Sequence, residues 1–392
     1  MLQAPSSRSL LGGQGDRRHE VIPRRALVAL VGIGFFAPAG CGPEADAPLG
    51  PPPSAAELCA GLPEGRPASS PAWEADEGAA ARRFGVPLAL LRAVAQVESG
   101  RQNVLGQPEV AGQPVARGPW GLTPAQLDHA AGALRLPRSR LEREVPLQAY
   151  AAAWLLRQAA GSTAVDADWA AALARFRELP TAAGRGAYVA EVLRRAGEPV
   201  PLAVAAVASA SATTGAADYA GAVWRASPNF NARPNPADVH LIVIHSCEGS
   251  YVVCWSWLTN PAARASAHYV VREDGSEISQ LVHERDRAWH VAARYECARN
   301  GGHDCERNGQ SINDFSIGIE NAGFASQPMW PRAQLDASAR LVCDITRRWG
   351  IPRDRYHIVG HAQLQPADRT DPGSGWPWTA YVACVRAACG EY

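Results

Sequence analysis

The chain has 392 residues, enough for two to three ordinary domains, and 47% are hydrophobic against 19% charged, which excludes wholesale disorder. Its 38 basic and 38 acidic side chains balance, which argues against a nucleic-acid binder, and no lysine occurs, so every one of those cations is an arginine. Nine cysteines are too many for a typical reduced cytosolic enzyme and point to an oxidising compartment.

The amino terminus reads as an export signal over residues 1–41. Arg17, Arg18, Arg24 and Arg25 form a basic flank, and Ala26 to Phe36 is an apolar run too short to span a bilayer. Ala37-Pro38-Ala39 has the A-x-A pattern of a cleavage site. Ala39-Gly40-Cys41 resembles a bacterial lipobox instead, with Pro38 where leucine is usual; it implies that Cys41 becomes a lipidated terminus. Setting Cys41 aside leaves Cys59, Cys247, Cys254, Cys297, Cys305, Cys343, Cys384 and Cys389, an even number that fits a disulfide framework. Export to the cell envelope is therefore expected, with membrane attachment only through a lipid.

Residues 42–56 are rich in proline and read as a tether. Residues 57–200 are rich in Ala, Leu and Arg with helical spacing, as in Ala79–Phe84, Pro87–Glu98, Pro146–Gln158, Trp169–Phe176 and Tyr188–Arg195. This predicts a separate all-α domain. Residues 201–217 are small and featureless and read as a linker. From 218 to 392 short β-rich runs appear at His240–His245, Ala267–Arg272, Glu277–Val282, Phe315–Glu320 and Tyr356–Gly360. Helical stretches lie among them at Val252–Leu258, Pro331–Trp349 and Pro377–Ala388, and Glu273-Asp274-Gly275 signals a hairpin. The alternation predicts an α/β domain, a mixed central sheet flanked by helices.

Chemistry concentrates in that second block. Leu241 to Ile244 is a continuous apolar strand that ends in His245, and Ile358-Val359-Gly360 ends likewise in His361. Ten residues later stands Thr370-Asp371-Pro372-Gly373. One strand-end histidine is more often a core or surface residue than a ligand. Two histidines and a carboxylate suit Zn²⁺, and three protein ligands leave the fourth position open, as in catalytic zinc sites.

The motifs IVIHS (242–246), SAHYVV (266–271), RAWHV (287–291), NDFSIGIE (313–320), VGH (359–361) and TDPG (370–373) occur in that order. Together they resemble the zinc-dependent N-acetylmuramoyl-L-alanine amidases of the type-2 family, relatives of peptidoglycan recognition proteins. The likeness covers residues 219–388. It implies zinc ligands at His245, His361 and Asp371, and a general base at Glu320. Arg369 occupies the place where many relatives carry an oxyanion-stabilising lysine; it keeps the charge but cannot donate a proton. Trp289 and His290 match positions lining the substrate site, a structural hydrogen bond being the other reading of His290. His268 and His357 read as structural. Cys247 and Cys254 resemble a small disulfide loop of the family, with a Cys247 thiolate on zinc as the rival reading. Cys297 with Cys305, and Cys384 with Cys343 or Cys389, are the further pairings expected. The implied activity is hydrolysis of the amide between N-acetylmuramic acid and L-alanine in peptidoglycan or muropeptides; the alternative is a catalytically silent recognition module.

In the helical block, Phe84 to Gly100 resembles the first motif of lysozyme-like lytic transglycosylases, in which a glutamate before serine, here Glu98, acts as general acid. Gly118-Pro119-Trp120-Gly121-Leu122 is similar to their second motif and Tyr188 to their late tyrosine. Thr123-Pro124 replaces the Met-Gln that usually follows, and Arg175-Phe176-Arg177-Glu178 replaces the Tyr-Asn-Gly region. The expectation is a wall-binding domain more than a second enzyme. A bifunctional amidase–transglycosylase and an ordinary helix-end carboxylate are the alternatives for Glu98.

Overall fold

A computed structural model describes residues 59, 61–62, 71–108, 112–161, 168–209 and 217–391. The export signal, Cys41 and the 42–56 tether lie outside the described residues. Among those described, no helix is long and apolar enough to cross a membrane.

The second block is built on β1 (Ala222–Trp224), β2 (Phe230–Ala232), β3 (Leu241–Ser246), β4 (Tyr269–Val271), β5 (Ile278–Gln280), β6 (Asp286–Ala288), β7 (Ser316–Asn321) and β8 (Ile358–Gly360). Six of them form one sheet in the order β1-β5-β4-β7-β3-β8; β2 and β6 form a separate antiparallel pair. Only β4 and β5 run antiparallel in the main sheet, through the hairpin that Glu273-Asp274-Gly275 signalled. The other pairings are parallel, so the sheet is mixed, as expected.

Burial on both faces explains the unbroken apolar runs. Ile242, Ile244, Ile317 and Ile319 point into one core, and Leu241, Val243 and Val359 into another. The first is closed by two helices of the second block, Arg332–Trp349 and Trp378–Ala388.

The first block is helical throughout its described elements: α1 (Pro71–Phe84), α2 (Leu88–Ser99), α3 (Pro124–Leu134), α4 (Arg138–Arg143), α5 (Val145–Ala160), α6 (Trp169–Phe176), α7 (Ala182–Ala196) and α8 (Leu202–Ser209). The second block adds α9 (Tyr251–Leu258), α10 (Arg332–Trp349), α11 (His361–Leu364) and α12 (Trp378–Ala388). Thr123-Pro124, a departure from the transglycosylase pattern, turns out to start a helix. Thr123 caps α3, Pro124 stands in its first turn, and the Gln126 side chain accepts from the Thr123 amide in return.

Two expectations are corrected. The stretch 201–217 is not all featureless linker, because Leu202–Ser209 is the helix α8, lying against α7. Nor does that stretch separate two cores: Tyr188 and Leu193 of α7 share one with Tyr251, Val252 and Trp255 of α9. The contact is also polar. Glu191 pairs with Arg194 and Arg195 of its own helix and, at 2.6 Å, with Arg272 beside the β4–β5 hairpin.

The disulfides complete this joining. Cys247–Cys254 and Cys297–Cys305 pair as expected. Cys384 pairs with neither Cys343 nor Cys389 but with Cys59, and Cys343 pairs with Cys389. The reason is packing: α10 lies beside α12, which brings the Cα atoms of Cys343 and Cys389 to 5.4 Å and leaves Cys384 facing Cys59 at 4.7 Å.

Candidate active site

Parallel pairing brings the chemistry to the C-terminal ends of neighbouring strands. In the register of β3 and β7, His245 stands opposite Glu320; β3 and β8 pair up to Ile244 and Gly360, after which His361 opens α11. Alternation does the rest. With Ile242, Ile244, Ile317 and Ile319 turned into one core, His245 and Glu320 leave their strands on the opposite face. The loop after α11 returns through a hydrogen bond from the Ala362 amide to the Asp371 carbonyl and delivers the Asp371 side chain between the two imidazoles.

Asp371, His245 and His361 are 0%, 1% and 2% exposed. His245 Nδ1 is 3.0 Å from Asp371 Oδ2; His361 Nδ1 is 3.2 Å from the same oxygen and 3.1 Å from Oδ1. Burial, then the neighbouring His361, holds His245 down at about 4 against the opposing pull of Asp371, so its imidazole is neutral at pH 7. Burial raises the Asp371 carboxyl, but His361 and His245 lower it by more, and it stays ionised. One donor atom from each of the three residues lies within 4.8 Å of the others. A neutral imidazole offering its lone pair to a site with a buried carboxylate is the donor chemistry a zinc ion takes.

A chain of hydrogen bonds orients His245. With Nδ1 turned to Asp371, its Nε2–H donates to His290 Nδ1 at 3.0 Å. His290 Nε2–H donates to Ser316 Oγ at 3.1 Å, and Ser316 Oγ–H donates to the Ile312 carbonyl at 2.7 Å. Burial, reinforced by His245 and His268, holds His290 well below the usual histidine range, which fits a neutral ring able to accept. The ring has room only because residue 318 is glycine, where a Cβ would stand 2.5 Å from it. A cavity of about 30 Å³ opens beside the cluster, lined by His245, Glu320, Trp289, His290, Trp257 and Gln113.

Residues 235–374 match the N-acetylmuramoyl-L-alanine amidase family (Amidase_2). N-acetylmuramoyl-L-alanine amidase A of Achromobacter lyticus is 31% identical over 194 residues, 45% of this chain and 99% of that protein. The 1,6-anhydro-N-acetylmuramyl-L-alanine amidase AmpD of Haemophilus influenzae is 32% identical over 179 residues, 41% of this chain and 90% of that one. The chain belongs to the N-acetylmuramoyl-L-alanine amidase family.

The remaining candidates of this amidase divide. Trp289 lines the cavity, with its indole N–H donating to Asn231 at 2.7 Å. Arg369, two residues before Asp371, donates to the Asp368 carbonyl at 2.9 Å, and its charge reaches His245. His268 is fully buried, accepting from the Gly318 amide and lying 3.0 Å from Arg233, a structural placement. Cys247 lies in a disulfide, which removes the thiolate reading. Glu98 is 1% exposed and 3.3 Å from the buried Arg177; burial raises its carboxyl, while Arg177 and then Tyr188 pull against it. Gly121 packs over it at φ +57, where a Cβ would stand 2.4 Å from Glu98 Oε2.

Sequence reasoning missed the reach of the helical block into this site. The Gln107 amide donates to Glu248 at 2.8 Å, and Gln113 Nε2 donates to the Cys247 carbonyl at 3.0 Å. Both residues lie on an aperiodic loop, and only the fold brings it here.

Proposed function

We propose that the amidase hydrolyses the amide between the lactyl group of N-acetylmuramic acid and L-alanine, with zinc held by His245, His361 and Asp371. The observation that carries this reading is the convergence of those three buried side chains beside Glu320. Zinc, when bound, polarises the scissile carbonyl and brings the pKa of a coordinated water towards ~7. Asp371 supplies the negative charge of the site, and His245 is held in one orientation by His290 and Ser316. Glu320 accepts the proton of the attacking water and returns it to the amine of L-alanine as the C–N bond breaks. Arg369 places a fixed positive charge near the oxyanion and moves no proton. Trp289 gives the substrate an aromatic wall.

Retention of all three donors speaks against a silent recognition module. In this reading residues 1–41 direct export, lipidation of Cys41 tethers the enzyme to the membrane, and the helical block adds contact with the wall. Glu98 serves packing in this reading: it is buried against Arg177 and Tyr188, burial outweighs both and keeps its carboxyl raised, and Thr123-Pro124 and Arg175 to Glu178 replace the motif residues that would accompany a general acid.

The experiment is metal analysis and turnover of His361→Ala. Two surviving donors do not fill a tetrahedral shell, so this variant should carry one zinc fewer than the wild type and lose amidase activity. Undiminished metal and activity would overturn the assignment.

A further inference from the structure

The strand pair that carries His245 and His361 at one end carries two more histidines at the other. His240 precedes β3 and His357 precedes β8, roughly 15 Å from the catalytic cluster at the rise of an extended strand. Between their rings stands Asp304, next to Cys305 of the Cys297–Cys305 disulfide. His240 Nε2 is 3.2 Å from Asp304 Oδ1, and His357 Nε2 is 3.7 Å from Asp304 Oδ2. The three donor atoms lie within 4.8 Å of one another, as do those of His245, His361 and Asp371.

We infer that His240, Asp304 and His357 form a second site for a divalent transition-metal ion of the zinc class. Two ligands bonded at 2.0–2.2 Å to one tetrahedral ion stand about 3.4 Å apart, close to both separations. The contact of His357 is too long for a hydrogen bond, yet its Nε2 is aimed at the carboxylate. The aim has a cause. His357 Nδ1–H donates to Asp354 at 2.7 Å, which fixes the tautomer and leaves the Nε2 lone pair directed at the trio. A carboxylate behind a ligating imidazole is the usual outer support of a zinc-bound histidine. Asp354 is itself placed, since the same oxygen accepts the amides of Tyr356 and His357. The Asp304 loop is held from both sides, by the disulfide and by His303 stacked on Tyr356 at 3.6 Å.

The ligand side chains are 32%, 17% and 11% exposed for His240, Asp304 and His357, so an ion enters from solvent and water completes its shell. With protein ligands just ahead of β3 and of β8 and on the β6–β7 connection, its role is to clamp the far end of the strand pair that presents the catalytic histidines. It takes no part in amide hydrolysis.

Equilibrium dialysis of the full chain against zinc, read by metal analysis, tests this. Wild type should hold two zinc ions, and His240→Ala one, with amidase activity kept. Asp354→Asn removes no ligand and keeps the acceptor for the two amides, yet should weaken the second ion by about 10–100-fold. The two assignments fail separately: His240→Ala reports on this site alone and His361→Ala on the catalytic one alone. An unchanged zinc content in His240→Ala, with Asp354→Asn binding as tightly as wild type, would overturn the inference and reduce the trio to a hydrogen-bonded cluster.

Discussion

Asp371 and Glu98 are both carboxylates buried almost completely, one in each block, and the difference between them lies in what they face. Asp371 meets two imidazoles through Nδ1, one held neutral by burial and by its neighbour. Glu98 meets the guanidinium of Arg177, a permanent cation. The first arrangement is an ionised carboxylate beside two imidazoles, a donor set that suits a divalent ion. The second already has its countercharge, and Gly121 lies so close that a Cβ there would meet Glu98 Oε2 at 2.4 Å. Burial of a carboxylate therefore does not mark a catalytic site by itself; its partners decide what it can do.

The comparison can be sharpened by variants in each half. Glu320→Gln keeps shape and metal but removes the base, so turnover should fall by about 10²–10⁴ with zinc content unchanged. Steady-state kinetics on a soluble muramyl peptide would check this, and wild-type rates would move the base elsewhere. Arg369→Ala should lower kcat more than it raises KM, by roughly 10²–10³, because the charge it answers develops only in the transition state. An unchanged kcat would retire that role and leave Arg369 as a half-buried cation beside Asp368. Glu98→Gln strands the buried Arg177 and should cost about 3–5 kcal/mol of stability in denaturant unfolding. It should leave muropeptide products untouched; loss of a 1,6-anhydro sugar made by wild type would instead reveal a second enzyme.

The smallest effect concerns the contact between the blocks. Burial pushes the Glu191 carboxyl up, and Arg272, Arg195 and Arg194 pull it down by more, so in the folded chain it lies below its ordinary value of 4.5. A carboxyl depressed on folding contributes stability that is present above its unfolded value and lost as pH falls through the folded one. Acid should therefore weaken the contact below about pH 4.5. Glu191→Gln should lower stability at neutral pH by about 1–3 kcal/mol and flatten the acid dependence. Parallel pH–stability curves for the two proteins would contradict this.

Much of the site was legible because the strands are buried on both faces. Unbroken apolar runs ending in His245 and His361 announce themselves, and the register that places Glu320 opposite His245 follows once β3 and β7 pair in parallel. Long-range joining was not legible. Cys59 and Cys384 are 325 residues apart, and nothing local couples them. The helix α8 has no buried residue, so it lacks the apolar stripe that marks a packed helix and reads as linker. The loop carrying Gln107 and Gln113 has no periodicity to betray where it goes. Thr123-Pro124 was read against another family's motif, which obscured an ordinary helix start.

The central claim is that the catalytic unit is the Asp371 cluster and that it works through a metal. Digestion of purified sacculi by the full chain, with and without a chelator and followed by mass spectrometry of the products, tests it most directly. The account predicts glycan chains stripped of stem peptides, stem peptides with a free L-alanine amine, no such products under chelation, and recovery on adding zinc. Stem-peptide release that persists at full rate in the chelator would contradict it.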